Sequence, residues 1–117
     1  MIVRIKNLRL RTVVGTNDWE RKQLQDVIIN IEMDFDGSKV AETDDLKNTV
    51  DYKKVKQRII REVEQSRFYL LDKLASHVLR IVMEEEKVQR ATVEVDKPMA
   101  LRFADSVSVC CSAERKK

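Results

Sequence analysis

"VIINIEMDF", residues 27 to 35, is the stretch on which the fold turns. Val27, Ile29, Ile31, Met33 and Phe35 share one parity; Ile28, Asn30, Glu32 and Asp34 share the other. Successive side chains of a strand point to opposite faces, so this spacing predicts a strand with one buried face and one wet face. A half-wet strand belongs to an antiparallel sheet covered on one side, because strands of parallel sheets are buried on both.

Upstream, residues 2 to 14 also read as a strand. Val3 and Ile5 lie on one parity, and Leu8, Leu10, Thr12 and Val14 on the other. One extra residue flips an alternation, so a bulge is expected near Lys6-Asn7. Gly15 ends this strand, and "TNDWERKQLQ" (16–25) is a polar connection holding the only tryptophan, Trp19. Downstream, "DGSKVAETDD" (36–45) reads as loop, with Asp36-Gly37 as its turn signal. Helical spacing begins near Asp51, where Tyr52, Val55, Ile59 and Val63 fall at i, i+3, i+7 and i+11 and Ile60 widens the stripe. A second helix is expected from about Leu70 to Glu86, with Leu71, Leu74, Ala75, Val78, Ile81 and Val82 on one face. Two last strands, near 89–96 and 106–113, flank a break at Lys97-Pro98, the only proline in the chain.

The order strand, strand, helix, helix, strand, strand predicts an α+β fold: an antiparallel ββααββ sheet with two helices on one face. No repeat or linker divides the 117 residues, so one domain is expected over 1–117. The sheet edges need cover, and closing a larger barrel with neighbouring copies would supply it, so a homo-oligomer is expected.

Composition removes several function classes. With 43% hydrophobic and 37% charged residues and only two glycines, the chain reads as globular. Its 23 basic and 20 acidic residues are interspersed, and its strands lack aromatic platforms, so no nucleic-acid partner is expected. No long apolar run suggests a leader or a membrane span, which leaves a cytoplasmic protein as the expectation. Cys110 and Cys111 are neighbours pointing to opposite faces, poorly placed to bridge each other, and read as reduced thiols. The end from Glu114 to Lys117 is expected to fray.

His77 is the only histidine and falls off the main apolar stripe, so a surface or interface position is expected. One histidine and two adjacent cysteines make no recognisable zinc site. Gly15 and Gly37 are too far apart for a phosphate or dinucleotide loop, and no serine triad can be assembled. Glu, Asp, Lys and Tyr remain. Glu20, Tyr52, Asp72 and Lys97 each have an ordinary reading alone: a solvated acid, a packing residue, a first-turn acid favoured by the helix dipole, and an exposed lysine.

Together and in order they say more. "VRIKNLRLRT" (3–12) followed by Gly15, "QDVIINIEM" (25–33), "VDYKKV" (50–55), "RFYLLDKLA" (67–75) and "VEVDKPMALRFADSVSV" (93–109) run through nearly the whole chain. In these stretches the chain resembles the dihydroneopterin aldolase family. The last stretch is similar to the "DKxxALRYADSVS" of the family's epimerase branch, whereas aldolases more often carry "SKPGA" there.

The resemblance implies the tunnelling fold, oligomerising into a β-barrel ring (a tetramer, stacked in pairs to an octamer) with sites at subunit interfaces. It implies a small-molecule dihydropterin substrate and metal-independent retro-aldol and aldol chemistry on the dihydroneopterin side chain. No metal and no cofactor are implied, because the C6=N5 imine of the substrate is itself the electron sink. Asp72, with Leu71 beside it, is implied as the pterin anchor, one methylene shorter than the glutamate usual in the family; a carboxylate suits the paired donors of the pterin edge. Lys97 is implied as general acid/base, Tyr52 as a proton relay from a neighbouring subunit, and Glu20 as the partner of Lys97 or a bound water. Arg102 is a candidate for a substrate triphosphate, or for a salt bridge across an interface. The implied activity is 2'-epimerisation of dihydroneopterin triphosphate to dihydromonapterin triphosphate. The alternative is an aldolase giving 6-hydroxymethyl-7,8-dihydropterin and glycolaldehyde for folate synthesis, and a distant one is a non-catalytic α+β binding module.

Overall fold

In the computed structural model, which describes residues 1–116, the alternating stretch lies in a strand from Gln25 to Asp34. This strand, β2, lies next to β1 (Ile2–Val14) and β4 (Arg90–Pro98), antiparallel to both, and β5 (Ser106–Glu114) pairs antiparallel with β4. A two-residue strand, β3 (Arg67–Phe68), joins the outer side of β1 in parallel, giving the order β3-β1-β2-β4-β5. Sequence reading did not anticipate β3, because two residues are too few to show an alternation.

The bulge is where the parity switch placed it. Ile5 pairs with Ile31 and Leu8 with Ile29, so one residue of β1 is extra. Asn7 takes up that residue in the left-handed region at φ 54°, which asparagine tolerates better than most side chains. The Asn30 side chain holds it there, accepting from the Asn7 backbone N–H at 2.9 Å.

Two amphipathic helices, α2 (Tyr52–Gln65) and α3 (Leu71–Met83), cover one face of the sheet. Val55, Ile59 and Val63 of α2 and Leu74, Ala75, Val78, Ile81 and Val82 of α3 are buried against Val27, Ile29, Ile31 and Met33 of β2 and Ala91, Val93 and Val95 of β4. Burying one such aliphatic side chain contributes roughly 1.5–3 kcal/mol, so the face that alternation exposes to the helices holds the layers together. The Asp51 carboxylate caps α2 by accepting from the Lys54 N–H, whereas α3 begins at Leu70 with no side-chain cap.

Four local expectations are corrected. The segment read as loop at 36–45 contains a short helix, α1 (Ser38–Thr43), started by Asp36 accepting from the Ser38 N–H and stopped by Asp44 at φ 54°. The second helix stops at Met83, before the glutamate run. His77 is tucked between the helices, its ring 5.4 Å from that of Phe68 and its Nε2 2.9 Å from Glu62 Oε1, because it flanks the stripe on the side facing α2. Within the end expected to fray, Arg115 is tied down: its guanidinium donates to the carbonyls of Val88, Met83 and Glu85. Lys117 lies outside the described residues.

Cys110 is exposed and Cys111 partly buried, on opposite faces of β5. Among the described residues no helix is long and apolar enough to cross a membrane.

Candidate active site

The two ends of the connection between β1 and β2 bring a cluster of polar groups together. Gly15 leaves β1 with φ 136°, a conformation open to glycine and strained for any other residue. A Cβ built there would stand 2.2 Å from both Cδ and Oε2 of Glu20. The glycine is therefore the floor on which the Glu20 carboxylate lies. Glu20 itself sits in a 3-10 turn, Asp18–Lys22, which Asn17 begins. That turn folds the side chain back under the sheet end, and Glu20 is only 6% exposed although its segment is polar.

Lys97 meets it from β4. Its parity is that of Ala91, Val93 and Val95, so the alternation carries an ammonium onto the helix-covered face at the end of the strand. Lys97 Nζ donates to Glu20 Oε2, and both residues are buried. Gln25 Nε2 donates to the same oxygen at 3.1 Å and to the Val14 carbonyl at 2.7 Å, while the Asn17 N–H donates to Glu20 Oε1 at 3.2 Å. Burial alone would raise the carboxyl's pKa, but the hydrogen bonds from Lys97, Gln25 and Asn17 outweigh it and hold the pKa at about 2. At neutral pH the Glu20 carboxylate is ionised and accepts from Lys97 Nζ. Such a pair can lend a proton to a substrate atom, and take one back, without a bulk-water intermediary.

The other predicted residues stand apart from the pair. Tyr52 is the first residue of α2 and half exposed, not the packing residue that the stripe alone suggested. Asp72 is exposed in the first turn of α3, with Leu71 beside it partly buried against the core. Arg102 is exposed in the turn between β4 and β5, its guanidinium 5.5 Å from the Phe103 ring. Among the described residues, the hydrogen bonds to the Glu20–Lys97 pair come from Gln25 and Asn17, and none from Tyr52, Asp72 or Arg102.

Sequence reasoning missed Gln25 and Arg21. Gln25 opens β2 on the parity of the buried residues, and a polar side chain there was the available signal. Arg21 carries no signal of its own; only the fold shows what it holds.

The comparisons with known proteins bear on this arrangement. The family model described as FolB, dihydroneopterin aldolase, matches residues 3–112. The chain belongs to the dihydroneopterin aldolase family. It matches both branches. It is 44% identical over 114 residues to the dihydroneopterin triphosphate 2'-epimerase of Escherichia coli (strain K12), covering 97% of this chain and 95% of that one. With the epimerase of Pseudomonas aeruginosa it is 42% identical over 113 residues, at 97% and 92% coverage. With the dihydroneopterin aldolase of E. coli it is 30% identical over 108 residues, at 92% and 88%. The crystal structure of the E. coli dihydroneopterin aldolase in complex with neopterin superposes with a TM-score of 0.91 at 28% identity, covering 97% of this chain and 98% of that one. As a member of this dihydroneopterin aldolase and epimerase family, the chain is an enzyme of lyase or isomerase type. Its chemistry is retro-aldol and aldol chemistry on a dihydroneopterin substrate.

Proposed function

We propose that this enzyme is a dihydroneopterin triphosphate 2'-epimerase. The observation that carries the reading is the difference in identity between the two branches: 42–44% to curated epimerases against 30–32% to curated aldolases, over nearly the same span. The epimerase-like "DKPMALRFADSVS" (96–108) adds to it, since it contains Lys97 and the turn that follows it into β5.

In this reading Asp72 receives the 2-amino and N3 donors of the pterin, and Leu71 packs beside the ring. The Lys97–Glu20 pair manages the proton of the 2'-hydroxyl. Loss of that proton breaks the C1'–C2' bond, and the electron pair passes into the C6=N5 imine, forming an enamine and a free aldehyde. An epimerase holds the aldehyde while it rotates, and re-addition to the opposite face inverts C2'. Tyr52, from a neighbouring subunit, covers the pterin and relays the proton. Arg102 faces the triphosphate.

Three features support a site completed by another copy of the chain. The pair is at the end of the sheet, with exposed apolar residues next to its members in the chain (Trp19 beside Glu20, Met99 and Leu101 just after Lys97), and Leu24, Tyr69, Leu70 and Phe103 are exposed as well. One side of β5 is unpaired within the described chain. The molecule is also elongated, 52 × 25 × 24 Å with a radius of gyration of 15.5 Å, where a compact domain of this length would have about 13 Å. A ring that closes the sheet edges into a barrel fits all three. In that ring residues 1–117 act as one pterin-binding domain, with a tetramer ring stacking to an octamer.

The aldolase reading parts from this one only after cleavage: the enamine is protonated and glycolaldehyde leaves. The test is to incubate the purified enzyme with 7,8-dihydroneopterin and with its triphosphate and resolve the pterins by chiral chromatography. The expected result is monapterin-type product, mainly from the triphosphate. Hydroxymethyl-dihydropterin with glycolaldehyde as the main products would establish the aldolase instead.

A further inference from the structure

Arg21 follows Glu20 in the 3-10 turn, and the proton chemistry of the Lys97–Glu20 pair gives it no task. Its surroundings are nonetheless specific. Nη1 donates to the carbonyls of Gly15 at 3.1 Å and Phe68 at 3.0 Å, and Nη2 donates to the Arg67 carbonyl at 2.6 Å. The guanidinium lies 3.9 Å over the Tyr69 ring. Arg67 answers by donating from Nη2 to the Arg21 carbonyl at 2.7 Å, and the Gly15 N–H donates to the Phe68 carbonyl at 3.3 Å. One planar fork therefore grips the glycine beneath the Glu20 carboxylate and, at the same time, the strand β3 that runs directly into α3.

The Asp72 end needs such an anchor. α3 begins at Leu70 without a side-chain cap, so no local hydrogen bond from a side chain fixes where its first turn starts. β3 is only two residues long and pairs with β1 at two positions. We propose that Arg21 is a positioning residue that sets the spacing between Glu20 and Asp72, and with it the register of the pterin ring against the proton-transferring pair. A lysine cannot replace it, because a single ammonium cannot reach three carbonyls in one plane and stack on an aromatic face as well. The proposal rests on the roles proposed for Asp72 and Glu20.

The test is a double-mutant cycle on dihydroneopterin and its triphosphate, using Arg21→Lys, Arg21→Ala, Asp72→Ala and the double variants. Steady-state kinetics and thermal unfolding are recorded for each, with catalysis assayed well below its Tm. Misplacing a bound group by a fraction of an ångström to one ångström costs up to about a hundredfold in rate. Arg21→Lys, the variant that keeps the charge and is the easier to fold, is therefore expected to lose about tenfold in kcat/KM. On the Asp72→Ala background the same change is expected to cost less than about threefold, since the anchor that Arg21 aligns is already gone. Fully multiplicative losses would overturn the proposal, as would a lowered Tm with unchanged kcat/KM, which marks a staple with no effect on register. If Asp72→Ala alone leaves turnover intact, the anchor reading falls and takes this proposal with it. If Asp72→Ala is damaging and the losses multiply, only the role of Arg21 is lost.

Discussion

Replacing Glu20 by glutamine tests whether the buried pair has the energy its geometry implies. A glutamate ordinarily titrates at 4.5, and Glu20 is held at about 2 by donors that overcome its burial. At about 1.4 kcal/mol per pH unit, that difference corresponds to a ceiling of about 3 kcal/mol of folding stability. Because the folded-state pKa is the lower one, the stabilisation is fully present above 4.5 and is lost as the pH falls from there towards about 2. Glu20→Gln removes the titrating group and leaves Lys97 buried beside a neutral amide, which is costly in its own right. Urea unfolding of both proteins at fixed protomer concentration, from about pH 7 down to about pH 3, reads the difference directly. The expected result is a wild-type advantage of about 2–3 kcal/mol that is flat above pH 4.5 and shrinks below it. An advantage that is absent at neutral pH, or that does not change on acidification, would refute the reasoning, since the carboxylate would then have no stabilising partner in the folded state.

Gly15→Ala places a methyl where the Glu20 carboxyl lies, so the acid is expected to swing off Lys97 and turnover to fall, with a stability cost of about 1–3 kcal/mol from the left-handed backbone. Retained turnover would show that the pair tolerates displacement. Lys97→Ala is expected to lower kcat by at least about a hundredfold on either pterin substrate while the circular dichroism spectrum stays native-like. An unchanged kcat would remove Lys97 from the chemistry. Thr12 is fully buried on β1, its Oγ1 donating to the Val63 carbonyl at 2.7 Å; Thr12→Val should cost about 1 kcal/mol, read as a lower Tm, because Ser66 still satisfies that carbonyl. No change in Tm would mean that the hydroxyl adds nothing to the join between β1 and α2.

Much of the scaffold is legible along the chain because it depends on period. Val27 to Phe35 alternate at two, the buried residues of α2 and α3 recur at helical spacing, and the parity switch in β1 marks its own bulge at Asn7. These are local properties: which side of a strand or helix is apolar is written in the order of residues, and burial only confirms it. The candidate residues Glu20, Tyr52, Asp72 and Lys97 stood out through a resemblance that spans the chain, since an isolated acid or lysine has no periodic signature.

Only the tertiary structure decided what those residues touch. Glu20 looked solvated in a polar connection, yet it is buried because Gly15, Gln25 and Lys97 converge on it from the end of β1, the start of β2 and the end of β4. Lys97 and Glu20 are 77 positions apart, and no local pattern connects them. The same holds for Arg21, which reaches Arg67 and Phe68 across 46 and 47 positions. Patterning chooses which face is buried, but an ion pair needs two specific atoms within a few ångströms, and that distance comes into being only when the strands pair and the helices close over them.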